Sequence, residues 1–162
     1  INHPTLDSRY LNIDEYTNFK ISNLPIPDER ITPLELAEEM EQIGLSALQL
    51  VKEMTSAKTV DPVNFRIELN DIKIWARLSL YFAEKLRGGV YLDEAVKTKN
   101  RDLQAGSVEH LRKAVAHWDR IIEIAAEQYQ EVSLLHIKTT KFSWRYFRPQ
   151  VLKDIELATD KF

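Results

Sequence analysis

The densest run of chemically useful side chains is Phe142-Ser143-Trp144-Arg145-Tyr146-Phe147-Arg148, four aromatics and two arginines within seven residues. Aromatic faces stack on sugar rings or bases, and guanidinium groups grip hydroxyls and carboxylates. Trp144, Arg145, Tyr146 and Arg148 are therefore candidate carbohydrate- or partner-binding residues. The same run also reads as a turn in which Trp144 and Phe147 plug the end of a helical core. Ligand contact, partner contact and plug all stay open at this point.

Other chemistry is sparse. His110 and His117 are seven apart and share a helix face, but two imidazoles without a third ligand make a weak metal site. No Glu-x-x-His pair occurs, so the ligand pattern of di-iron carboxylate bundles is missing. Neither a zinc-protease helix motif, a nucleophile elbow nor a phosphate-cradling glycine loop is present. Glu68 with Asp71, or Asp93 with Glu94, could supply the two carboxylates of glycoside hydrolysis, but that chemistry needs them about 5 to 9 Å apart across a sugar. Glu68 and Asp71 are expected instead to neutralise Lys73 and Arg77. No catalytic residue, metal or cofactor is therefore expected in this chain. A helical chain without such motifs points to a scaffold or a binding module.

Composition sets the bounds for whatever positions these groups. The 162 residues suit one domain, with 44% hydrophobic and 29% charged residues. Four glycines and six prolines are few for an all-β domain rich in tight turns. A net charge of −3 gives no whole-chain basic field for nucleic acid or anionic lipid. No apolar run approaches the roughly 18 to 20 residues of a membrane-spanning helix. Cysteine is absent, which removes thiol chemistry and disulfides and suits either a reducing cytosol or a periplasmic or surface setting. The chain opens on Ile1 without a charged-then-apolar leader, as expected of a mature or excised piece.

Four helices are expected, packed as an antiparallel, up-and-down four-helix bundle. Residues 1–31 precede them as an irregular, extended lead-in from an upstream domain. Within it Tyr16 to Ile21 suit a short extended piece, and Tyr10, Tyr16 and Phe19 need something to bury against. The bundle domain spans 32–162. Its first helix opens on Thr32-Pro33-Leu34-Glu35, a capping box with proline at the first helical position. Leu36, Met40, Ile43, Ala47, Leu50 and Met54 then form one apolar face. Asp61-Pro62 starts the second helix, with a stripe of Phe65, Leu69, Ile72, Trp75 or Ala76, Ser79, Phe82 and Leu86 running to about Lys97. Gly88 and Gly89 within it point to close helix approach or a kink. Residues Thr98 to Gly106 read as a loop, and Ser107 as the cap of a third helix reaching about Gln130. Its face is Leu111, Ala114 or Val115, Trp118, Ile121 or Ile122, and Ala125. Glu131 to Lys141 fit a broken helix or an extended crossing. The last helix begins near Pro149, with Val151, Leu152, Ile155 and Ala158 inward.

Several stretches together resemble the C-terminal region of large bacterial glycoside-hydrolase-like proteins of the α-glucuronidase-like kind. Ser8 to Tyr16 is similar to their "PRYxSIxEYV" entry, and Ile31 to Ala37 to their "TPxEvA" helix start. Leu80 to Arg87 resembles "yyAxKir", Ala114 to Trp118 "AlxHWxxy", and Gln128-Tyr129 "xxQY". Phe142-Ser143-Trp144 followed by Asp154-Ile155-Glu156 resembles the closing "fdWxxl…dI". Gly88-Gly89 stands where such sequences tend to have alanines, and Gln130 replaces a proline after Gln-Tyr.

The resemblance implies an accessory helical domain, following a catalytic barrel that carries the carboxylate machinery. It implies a periplasmic or extracellular polysaccharide-degrading protein, and no catalytic residue transfers to this chain. The implied partners are the upstream catalytic domain of the same polypeptide, possible polysaccharide and a possible homodimer, with no nucleic acid and no membrane span.

Overall fold

The computed structural model describes residues 5–130, 132–133 and 141–160. Its helices are α1 (Ile13–Ile21), α2 (Pro33–Met54), α3 (Pro62–Thr98), α4 (Arg101–Ala126) and α5 (Arg148–Thr159). Strands β1 (Val132–Ser133) and β2 (Lys141–Phe142) form a two-residue antiparallel pairing, and Trp144–Phe147 is a 3-10 turn leading into α5. The fold is all-α, as expected. Part of the stretch expected as a broken helix or crossing, residues 131 and 134–140, lies outside the described residues.

Helix starts follow their caps. The Thr32 side chain accepts from Glu35 N–H at 3.1 Å, and the Glu35 carboxylate accepts from Thr32 N–H at 2.8 Å. These bonds to the ionised form hold the Glu35 carboxyl below its usual range. Asp61 accepts from Asn64 N–H at 3.1 Å with Pro62 first in α3. Two starts differ from expectation. Asn12 and Glu15 form a capping box, so residues 13–21 of the expected irregular lead-in are helical, including Tyr16 to Ile21, which suited a short extended piece. Helix α4 begins at Arg101, capped by Asn100, not at Ser107. Residues Thr98 to Gly106 are thus mostly helix, and the connection is only Lys99-Asn100, with Lys99 left-handed at φ 54°. The polar run before Ser107 hid this start, because its apolar face opens only at Leu111.

Neighbouring long helices run antiparallel, in chain order α2, α3, α4, α5. Small residues set how closely they approach. A Cβ on Gly44 of α2 would lie 2.9 Å from the Ala76 carbonyl of α3, and one on Gly88 would lie 2.9 Å from Leu111 Cγ of α4. A Cβ on Gly89 would meet only the Cδ1 end of Ile13, at 2.8 Å. Gly88 therefore serves close approach between α3 and α4.

The core centres on Tyr81, Trp118, Ile121 and Val151, with Ile121 fully buried. Full burial of such a side chain contributes about 1.5–3 kcal/mol.

Helix α3 packs on α2 and α4 at once, and burial wraps around it. Ile74, Leu80, Tyr81 and Val90 are buried, while Ile72 and Phe82 of the expected stripe are exposed, and of its alternatives Trp75 and Ala76 it is Ala76 that is buried. On α2 the buried positions are Pro33, Ala37, Gly44 and Val51. At 100° per residue that line lies about 75° from the apolar stripe expected to form the core. Ile43, Leu50 and Met54 stay exposed, whereas Leu36, Met40 and Ala47 are half-buried.

Helix α1 is tied to α3 by polar contacts. Thr17 is fully buried, and its hydroxyl bonds Asp93 and accepts from Lys97 Nζ at 2.7 Å. Lys97 also pairs with Asp14 and Asp93, each at 2.7 Å. The lead-in aromatics Tyr10, Tyr16 and Phe19 are half-buried, neither packed away nor open.

Candidate functional site

The 3-10 turn, the end of α4 and the first half of α3 enclose an open cleft of about 500 Å³. Trp75, Tyr129, Phe142 and Trp144 supply aromatic surface, and Ile74 with Ala125 the floor. Asp71 and Arg145 stand at its polar margin. This size lies within the usual range of small-molecule sites.

Trp144 serves both the core and the cleft. Its ring meets Trp118 edge-on, with centroids 5.4 Å apart, and Phe142 at 5.8 Å. Trp118 Nε1 donates to the Trp144 carbonyl at 3.1 Å, which satisfies a buried indole and fixes the turn. Trp144 is half-buried, so one part plugs the core and another lines the opening. Ser143 caps the turn by accepting from Tyr146 N–H at 3.2 Å.

The other patch residues divide. Arg145 is exposed and lines the cleft, and among the described residues it has no ion pair. Arg148 instead makes a two-pronged contact with Asp119, Nε to Oδ1 at 2.6 Å and Nη2 to Oδ2 at 2.9 Å. That carboxylate holds the Arg148 guanidinium above its ordinary value. Tyr146 is exposed and packs edge-on against Phe147, away from the cleft. Of the four residues predicted to form a site, the fold brings Trp144 and Arg145 to one cleft and leaves Tyr146 and Arg148 outside its lining.

Trp75 and Tyr129 are the lining residues that sequence reasoning missed. Trp75 is one of two alternatives for a position in the core stripe, and it is 67% exposed. The signal was the choice between Trp75 and Ala76 as the inward residue, and Ala76 is the buried one.

Asp71 does not neutralise Lys73 or Arg77. Its Oδ1 accepts from Gln128 Nε2 at 2.9 Å and from the Tyr129 hydroxyl, which raises the Tyr129 pKa. Asn70 Nδ2 donates to Gln128 Oε1 at 3.1 Å, which completes the tie between the start of α3 and the end of α4. Asp71 is also the one acid among the described lining residues. The cleft thus offers an aromatic platform, an acceptor and a cation, without the facing carboxylate pair of glycoside hydrolysis.

The two histidines are separated in role. His110 Nδ1 lies 2.7 Å from Glu84 Oε2, and a carboxylate only accepts, so Nδ1 carries the proton. His117 Nδ1 lies 3.3 Å from Arg77 Nη1, and there the imidazole must accept. Burial, and then the Arg77 charge, push the His117 pKa down. Among the described residues no group of three or more potential metal ligands gathers. No described helix is long and apolar enough to cross a membrane.

No protein-family profile and no curated protein matches the chain. A solved structure does match, that of a GH138 enzyme targeting the pectin rhamnogalacturonan II, with a TM-score of 0.77. The likeness is one of fold. Identity is 14% over 91% of this chain, and the match spans only 22% of that enzyme's length. The neighbour is thus a glycoside hydrolase of which this chain resembles about a fifth, a coarser likeness than the α-glucuronidase-like resemblance of the sequence motifs.

Proposed function

We propose that this chain is a non-catalytic helical module of a carbohydrate-active, glycoside-hydrolase-like protein, and that it buttresses a catalytic barrel of the same polypeptide. The observation that carries the reading is the apolar stripe of α2. Ile43, Leu50 and Met54 repeat as a core face repeats, yet they stand open because α2 packs on α3 through a line rotated away from them. Such a stripe is what a neighbouring domain covers. The fold likeness adds support, since a helical unit of this shape forms about a fifth of a larger carbohydrate-targeting enzyme. A periplasmic or extracellular setting belongs to the same proposal.

The test is the double substitution Ile43→Asp/Leu50→Asp, made in this chain alone and in the complete polypeptide. Both positions are exposed, so the thermal midpoint of the chain alone shifts by no more than about 4 °C. In the complete polypeptide the midpoint and the polysaccharide-degrading activity both fall. Unchanged midpoint and activity in the complete polypeptide would overturn the reading.

A second reading, direct carbohydrate binding, is favoured by one observation: Trp75 presents an open indole face in the same cleft as Trp144 and Arg145. Sugar C–H faces stack on such a platform while hydroxyls reach Asp71 and Arg145. A homodimer through the α2 stripe is the form of the docking proposal in which a second copy takes the barrel's place.

A further inference from the structure

A second hollow, of about 360 Å³, opens between α2, α3 and α4, away from the aromatic cleft. Four cations, Lys52, Lys73, Arg77 and Arg120, line it together with one acid, Glu127. The chain as a whole is acidic, so this concentration runs against its average.

The four cations are not equivalent. Lys52 sits in the last turn of α2, where the helix dipole already favours positive charge. Arg120 is paired with Glu123 at the surface. Lys73 and Arg77 lie inside α3, where no helix end compensates them. Among the described residues neither reaches a carboxylate: Lys73 Nζ bonds the Asn70 amide oxygen at 3.0 Å, and Arg77 meets only the His117 ring. Burial and the nearby Arg120 charge both press on the Arg77 guanidinium, whose pKa is lowered. A half-buried guanidinium facing a neutral acceptor and another cation lacks an anion.

The floor adds a second requirement. Leu48, Val51 and Ile124 line the same hollow, so part of its wall is apolar. Its volume exceeds that of a bare ion by several water volumes, at about 30 Å³ each. We infer that the hollow between α2, α3 and α4 is a binding site for a small organic anion. Its oxyanion head, carboxylate or phosphate, bridges Arg77 and Lys73, and its carbon body lies on Leu48, Val51 and Ile124. A planar guanidinium accepts either head in two-pronged fashion.

Thermal-shift and calorimetric titrations of this chain test the site, at constant ionic strength, with gluconate, glucose 6-phosphate, glucose and inorganic phosphate as probes. At about ten times its dissociation constant a ligand raises the midpoint of a protein this size by about 3 °C. The inference predicts that rise, with one-to-one saturation, for gluconate or glucose 6-phosphate, and which of the two binds more tightly identifies the head group. Glucose gives no shift. Arg77→Gln and Lys73→Gln each weaken the charged probe at least tenfold, and Lys73→Gln keeps the test valid should the arginine variant fold poorly. The inference is overturned if glucose binds equally or if no probe binds. It is also overturned if inorganic phosphate matches the organic anions, which would mean an adventitious ion only.

Discussion

The Ser107 hydroxyl of α4 donates to the Gly88 carbonyl of α3 at 2.7 Å, and both residues are buried. The bond forms where α3 and α4 approach closely, because position 88 has no side chain to hold them apart. Gly88→Ala would place a Cβ 2.9 Å from Leu111 Cγ and 3.0 Å from its Cδ2, too close for a branch point to yield. Overpacking of this kind costs about 1–3 kcal/mol, against a helix-propensity gain of about 1. Gly89→Ala meets only Ile13 Cδ1, the far end of a flexible side chain, so it is neutral or mildly stabilising. Denaturant unfolding of the two variants should therefore give opposite ranks from adjacent glycines.

The cap of α2 gives a second prediction. Thr32→Ala removes the acceptor for Glu35 N–H, with an expected loss of about 1 kcal/mol. Thr32→Ser keeps the acceptor and should keep most of the stability, as a pair of melting curves would show.

Stability should depend on pH through His117. Its folded pKa lies below the ordinary 6.5, so the unfolded chain binds the proton more readily. The contribution is complete above pH 6.5 and is lost as pH falls from there through the folded value. His117→Gln keeps an acceptor for Arg77 and removes the titration. The difference in unfolding free energy between wild type and variant should change below pH 6.5 and stay flat above it.

Two tryptophans of one cleft should separate packing from binding. Trp144→Ala removes an indole packed on Trp118 and Phe142, and a loss of about 2–3 kcal/mol is expected for a half-buried ring. Trp75→Ala changes an exposed ring and should cost no more than about 0.5 kcal/mol. Should the cleft hold sugar, Trp75→Ala also loses retention on an acidic polysaccharide gel while its melting curve is preserved.

The legible parts of the fold were those written in local chemistry. Thr32-Pro33 and Asp61-Pro62 marked α2 and α3, because each cap satisfies backbone donors whatever lies around it. Asn100 and the Asn12–Glu15 box work in the same way, but neither precedes an apolar run, so α1 was missed and the start of α4 was placed late, at Ser107. Faces were harder to read than starts. The face of α4 was as expected, with Leu111, Trp118 and Ile121 inward, since α4 presents one dominant stripe. Helix α3 packs on both sides, and α2 packs through glycine and alanine, so large apolar residues stopped marking the buried line. In the cleft, Trp144 and Arg145 were legible because they are adjacent in sequence. Trp75 and Tyr129 come from helices that only tertiary packing brings together, and the basic hollow has the same origin.

The docking proposal is tested most directly by hydroxyl-radical footprinting of this chain alone and within the complete polypeptide. Oxidation at Ile43, Leu50 and Met54 should fall several-fold in the complete polypeptide, while exposed Val63 at the start of α3 reacts equally in both. Equal oxidation of the α2 stripe in the two forms would mean that nothing covers it, and would contradict the account.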